Sequence, residues 1–125
     1  MIKAKIYKHN RNYKVASEIA EKARKMDLAD RYPNNLCAKY RIRNEQIPEA
    51  EELVKIFMRD STDENLVELQ YSWYEWECAQ SNMRQGKIGA ALRRYKFMQT
   101  HFENFYEDQV SITCGRGNLV RAKIE

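Results

Sequence analysis

Residues 37–50 read CAKYRIRNEQIPEA, and the same frame returns as CAQSNMRQGKIGAA at residues 78–91 and as KAKIYKHNRNYKVA at residues 3–16. In each stretch the second and the last residue are alanine: Ala38 and Ala50, Ala79 and Ala91, Ala4 and Ala16. Cysteine precedes the first alanine twice, as Cys37 and Cys78. The step from Ala16 to Ala50 is 34 residues and the step from Ala50 to Ala91 is 41, seven residues longer. The polar connector Arg59-Asp60-Ser61-Thr62-Asp63 is the natural place for the added residues. A fixed period of this size marks stacked supersecondary units.

Each unit reads as two helices. Tyr13, Ala16, Ala20 and Ala23 advance by three or four, as do Ile47, Ala50, Val54 and Phe57, and Ile88, Ala91, Tyr95, Met98 and Phe102. That spacing puts each set on one helical face. Alanine where two helices cross lets their backbones approach closely, so the three alanine pairs are expected at the contact inside each unit. Capping residues agree: Asp30 suits an N-cap with Pro33 in the first turn, Pro48 suits the first turn of the next helix, and Ser61 with Glu64 forms a capping box. That box opens a helix expected over roughly residues 62–85, with Gly86 as its stop. No strand-like alternation appears. The expected fold is all-α: tetratricopeptide-like antiparallel helix pairs, stacked as a short right-handed solenoid over residues 1–109. Its units fall at about 1–28, 29–60 and 61–109, followed by an irregular tail at 110–125.

Composition supports this reading and narrows function. Of 125 residues only four are glycine and two proline, while 43% are hydrophobic and 32% charged. Mean hydropathy is −0.81. No apolar run approaches the ~20 residues that span a bilayer, and no apolar signal-peptide core opens the chain, so no membrane role and a cytoplasmic location are expected. Three irregularly spaced cysteines fit reduced thiols and not a disulfide framework. Charge falls in blocks: 12 Lys/Arg against 4 Asp/Glu in residues 1–43, 2 against 10 in 44–82, and 8 against 4 in 83–125. Such blocks either select and orient a partner or are ordinary solvated helix faces.

Catalytic and metal chemistry find little purchase. The two histidines, His9 and His101, read as surface residues, and no His-x-x-x-His or Cys-x-x-Cys pair offers metal spacing. Cys37 and Cys78, beside the packing alanines, read as small core residues. Cys114 has no histidine nearby to activate it. Gly115-Arg116-Gly117 follows no apolar strand, so it is not a phosphate loop. No catalytic, cofactor-binding or metal residue is assigned. Two clusters remain. The aromatics Tyr71, Trp73, Tyr74 and Trp76 cannot all share one helical face, so Trp73, Tyr74 and Trp76 are candidates for partner contact as well as for the core. Arg31, Lys39 and Arg43 form a basic group whose last two members share a face, which suits a polyanion such as RNA, a phosphate cluster or an acidic helix.

The sequence also resembles one family. Ala4–His9, Met26–Tyr32, Cys37–Tyr40, Glu49–Glu52, Glu64–Leu66, the Gln70–Gln80 segment with Trp73, and His101-Phe102 follow in order the pattern of the auxiliary, tetratricopeptide subunit of the NatA N-terminal acetyltransferase, over about residues 3–109. The resemblance implies an internal segment of a non-catalytic scaffold. Such a scaffold wraps the catalytic acetyltransferase subunit and docks at the ribosome, and through it ribosomal RNA, where nascent N-termini are acetylated. It also implies an inositol polyphosphate as a structural ligand, for which Arg31, Lys39 and Arg43 are the candidates. After Asp108-Gln109 the family continues as an amphipathic helix, whereas Val110–Glu125 lacks helical periodicity.

Two alternatives stand beside the scaffold. One is a free-standing adaptor that captures C-terminal peptides; its carboxylate clamp is missing, since Trp73, Glu77 and Leu36 occupy the equivalent positions. The other is a module that binds RNA or inositol phosphate through the basic residues 1–43. Apolar ends of a repeat array normally stack on neighbours, so a homodimer through exposed repeat ends is also expected.

Overall fold

The computed structural model describes residues 1–57 and 72–121, with side chains placed through Glu107 and at Val110. Within them the chain forms six helices: α1 (Ile2–His9), α2 (Tyr13–Arg24), α3 (Arg31–Arg43), α4 (Ile47–Lys55), α5 (Ser72–Arg84) and α6 (Ile88–Arg121). There is no strand among the described residues. Successive helices pair as α1 with α2, α3 with α4 and α5 with α6, while α2 packs on α3 and α3 on α5. The pairs therefore stack. The connector at 59–63, the Ser61/Glu64 capping box and Tyr71 lie outside the described residues.

The alanine frame forms the centre of the core. Ala4, Ala16, Ala38, Ala50, Ala79 and Ala91 are each wholly buried, as are Cys37 and Cys78. Small side chains at these places allow close helix crossings, and Tyr40, Ile42, Leu53, Val54 and Tyr74 fill the space beside them. Burying each of the larger apolar side chains stabilises the fold by roughly 1.5–3 kcal/mol. Asn34, also buried, donates from Nδ2 to the Leu53 carbonyl at 2.7 Å, tying α3 to α4.

The helix starts follow local chemistry. Asp30 accepts from the Tyr32 amide at 2.9 Å, and Asn12 accepts from the Val15 amide at 3.2 Å. Both satisfy amides that lack an intrahelical partner. Pro48 occupies the first turn of α4, where a missing N–H costs nothing.

The turns inside the pairs repeat as faithfully as the alanines. Arg11, Glu45 and Gly86 have φ of 57°, 64° and 72°, and they lie 34 and 41 residues apart. The next amide in each turn, on Asn12, Gln46 and Lys87, donates five residues back to the carbonyls of Tyr7, Arg41 and Asn82 at 3.0, 2.9 and 2.8 Å. The left-handed residue itself donates three back, to Lys8, Ile42 and Met83. This double closure is the Schellman arrangement. Glycine adopts it without steric cost, whereas Arg11 and Glu45 carry a strain of roughly 1–2 kcal/mol.

One expectation fails. The backbone is helical without interruption from Ile88 to Arg121, so residues 110–121 are not an irregular tail. Residues 88–121 contain no proline, and Gly115 and Gly117 each cost only about 1 kcal/mol relative to alanine in a helix interior. Propagating an existing helix is far easier than starting one. Weak apolar periodicity therefore did not stop it.

Candidate interaction surface

Glu77 on α5 holds the joint between the second and third helix pairs. It is nearly buried, and Arg43 of α3 grips its carboxylate at both oxygens, Nη2 to Oε1 at 2.6 Å and Nε to Oε2 at 2.9 Å. Lys39, one turn earlier, reaches the same carboxylate at 3.1 Å. Burial by itself raises the carboxyl's affinity for a proton, but the bonds from Arg43 and Lys39 outweigh it, and the Glu77 pKa lies below its ordinary value. A two-pronged guanidinium grip fixes direction as well as distance. It sets how α5 sits on α3.

Three more carboxylates do similar work. Glu45, in the left-handed turn, accepts from Arg84 Nε at 2.6 Å, from Gln85 Nε2 at 2.9 Å and from the buried Ser81 hydroxyl. Glu21 on α2 accepts from Arg24 at 2.7 Å within its own helix and from Arg41 of α3 at 3.2 Å. The hydrogen bond from Arg24 is the main reason that the Glu21 pKa falls to about 2. Glu75 on α5 pairs with Arg94 of α6 at 2.8 Å, and the Arg94 guanidinium also lies over the Tyr74 ring, 5.6 Å from its centre. The acidic middle block is thus used on both sides, by cations of the first block through Glu77 and of the last through Glu45 and Glu75. Four cations and three carboxylates of the charge blocks serve contacts between helices of this chain.

The basic candidates are accordingly dispersed. Lys39 and Arg43 come together, but on Glu77. Arg31, exposed at the start of α3, lies over the Phe57 ring at 5.4 Å and does not join them. Among the aromatic candidates, Tyr74 is 1% exposed and belongs to the core, so it offers no surface to a partner. Trp73 is half-buried against the core and stands edge-on to Tyr74. Trp76 remains 50% exposed, its ring edge-on to Tyr95 at 5.8 Å, while Tyr95 receives a hydrogen bond from Gln80 at 2.8 Å. An open groove of about 560 Å³ runs past Trp76 across all three pairs, bounded by Arg11, Tyr13, Arg43, Gln80 and Arg84.

Burial pushes the thiols of Cys37 and Cys78 up to about 11 and about 12, so both stay protonated at neutral pH and are poor nucleophiles. His9 is exposed and His101 half-buried beside Phe102. Among the described residues, no group of three or more His, Cys, Asp or Glu is placed to hold a metal ion. None of their helices is long and apolar enough to cross a membrane.

The model of the N-terminal acetyltransferase A auxiliary-subunit family matches residues 1–113. The chain belongs to that family. The N-alpha-acetyltransferase 16, NatA auxiliary subunit, of Mus musculus is 40% identical over 127 aligned positions, covering 98% of this chain and 15% of its own length. The NatA complex auxiliary subunit NAA15 of Arabidopsis thaliana is 36% identical, covering 99% and 14%. A solved structure of Naa15/Naa10 bound to HypK-THB superposes with a TM-score of 0.81 at 32% identity, over 88% of this chain and 17% of the matched one. This chain therefore spans about 15% of the length of the curated NatA auxiliary subunits that it matches. The helix pairs found here are part of the NatA auxiliary-subunit architecture.

The four carboxylates that link helices are unassigned in the sequence reading, although one signal for them is present. The basic block 1–43 is followed by the acidic block 44–82, and opposite blocks in successive units can pair where the units stack. The recurrence of residues 11, 45 and 86 as one turn position was equally open to reading.

Proposed function

We propose that this chain is a non-catalytic scaffold segment of a NatA auxiliary subunit, supporting the catalytic acetyltransferase subunit and its association with the ribosome during co-translational N-terminal acetylation in the cytoplasm. The observation that carries this reading is the likeness to Naa15, solved together with Naa10, across 88% of the chain. The physical arrangement suits the role. A scaffold must hold a fixed curvature, and here each joint between helix pairs is tied by directional charge-assisted bonds, through Glu21, Glu45 and Glu77. Trp76 with the groove beside it is the surface best suited to a partner protein, because large half-exposed aromatics next to arginines are the common anchors of interfaces.

Of the alternatives, a polyanion module gains no support from the joint. An inositol polyphosphate on Lys39 and Arg43 would have to draw both from Glu77 and leave a nearly buried carboxylate unpaired. Co-expression of this chain with the catalytic subunit, followed by affinity purification, tests the scaffold. The expected result is a stoichiometric complex that Trp76→Ala weakens, with no acetyl transfer to N-terminal peptides by the chain alone. Absence of a complex, or transfer by the isolated chain above background, overturns the proposal.

A further inference from the structure

A cleft of about 420 Å³ opens between the second and third helix pairs. Helices of both pairs bound it, with Ile47 and Glu51 from α4 and Ala90, Arg93, Arg94 and Phe97 from α6, so it belongs to the joint and not to an end of the chain. On α5, Tyr74, Glu75 and Asn82 form its inner wall, whereas Trp76 and Gln80 face the groove described above. At about 100° per residue these two sets fall on opposite faces of the helix, so the cleft is a second, separate site. Its volume lies within the roughly 300–1,000 Å³ of small-molecule sites.

Three features say what it takes. The half-buried Ile47 and the exposed Phe97 make an apolar wall. Glu51 is answered by Lys55 and Glu75 by Arg94, each at 2.8 Å, whereas Arg93 has no partner among the described residues. The lining therefore carries one unanswered charge, and it is positive. The Tyr74 hydroxyl is enclosed yet has no hydrogen-bond partner, a state that costs stability. Arg94, lying over the Tyr74 ring, binds Glu75 through Nη1 alone, which leaves most of its five N–H donors open.

We propose that the cleft binds a small organic carboxylate with an aromatic or branched aliphatic body. The carboxylate lies between Arg93 and Arg94, where guanidinium donors suit it, and the body packs on Ile47 and Phe97. A shift of the Arg94 side chain, 26% exposed, opens the Tyr74 hydroxyl to a carboxylate oxygen, which supplies the missing acceptor. A cationic ligand would meet two guanidiniums, and a purely apolar one would leave Arg93 and the Tyr74 hydroxyl as they are. Only an anion with an apolar body answers all three features.

NMR titration of the whole chain with phenylacetate, and with phenylacetamide as its uncharged counterpart, tests this. Phenylacetate is expected to shift the signals of Ile47, Tyr74 and Phe97. The amide is expected to bind at least about fivefold more weakly, since charge-assisted bonds give way to neutral ones. Arg93→Gln, at an exposed position without a partner, is expected to keep the fold and weaken phenylacetate binding about threefold to fivefold. Tyr74→Phe separates a ligand contact from a merely buried hydroxyl. It should raise the urea midpoint of the ligand-free chain, by removing an unpaired donor, and also weaken phenylacetate binding about threefold or more. No shift at these residues up to tens of millimolar, equal binding of acid and amide, or unchanged affinity in Arg93→Gln or Tyr74→Phe overturns the proposal.

Discussion

Arg11 and Glu45 occupy the same left-handed turn in successive helix pairs, and replacing each by glycine separates backbone strain from side-chain bonding. At both positions glycine relieves roughly 1–2 kcal/mol of left-handed strain and gives back roughly 0.5–1 kcal/mol through the greater freedom of the unfolded chain. Arg11 is exposed and outside every ion pair described above, so Arg11→Gly is expected to stabilise the fold by about 0.5–1 kcal/mol. Glu45→Gly gains the same backbone term and loses three acceptor bonds. The Arg84 pair is half-exposed, so its loss costs at most about 1 kcal/mol. Ser81 is wholly buried, and a buried hydroxyl that loses its acceptor costs about 1–3 kcal/mol; the Gln85 bond is accepted by the Ser81 oxygen and leaves the O–H without a replacement. The net expectation for Glu45→Gly is a destabilisation of about 1–2 kcal/mol, so the two variants differ by about 2–3 kcal/mol. Urea unfolding followed by circular dichroism at 222 nm, read as a midpoint shift at constant slope, measures both. Two glycine variants of equal stability would refute the claim that Glu45 ties its turn to α5.

Further outcomes follow from the same joints and core. Glu77→Gln is expected to cost about 2–3 kcal/mol, below the roughly 3–5 kcal/mol of a fully buried pair because Arg43 and Lys39 still reach water; a double-mutant cycle with Arg43→Ala should give a coupling of at least about 1 kcal/mol. Ala38→Leu forces a larger side chain into a wholly buried helix crossing, and a loss of about 2 kcal/mol or more in the same titration is expected. Acidification should destabilise the fold. The Glu21 carboxyl binds its proton less readily folded, at about 2, than at its ordinary 4.5, so its contribution is complete above about 4.5 and disappears as pH falls toward 2. Thermal melts between pH 7 and pH 3 should show that decline, and it should shrink in Glu21→Gln. At the alkaline end the Cys37 thiol, at about 11 folded against 9.0 ordinarily, favours unfolding as pH rises from about 9 to about 11. Cys37→Ala should flatten that limb of the same melts.

Local pattern and tertiary pairing divide this protein between them. The residues 3–16, 37–50 and 78–91 by themselves determined that helices form, that they pair, and which alanines lie where the pairs cross. Capping, periodicity and the need for small side chains at a crossing are properties of short stretches and repeat with them. Asp30 and Pro48 likewise announce helix starts without help from distant residues. The destination of each charge was another matter. Lys39 and Arg43 look like a free basic face along α3, and only the stacking of α5 brings Glu77 beneath them; Glu45 looks like a solvated turn residue until Ser81 and Arg84 arrive from 36 and 39 residues away. Tyr74, Trp73 and Trp76 are consecutive or nearly so, and nothing local says which of them is buried. Coulombic and hydrogen-bond partners are set by distance in space, and in a stacked array that distance follows from how one pair sits on the next, which no single helix specifies.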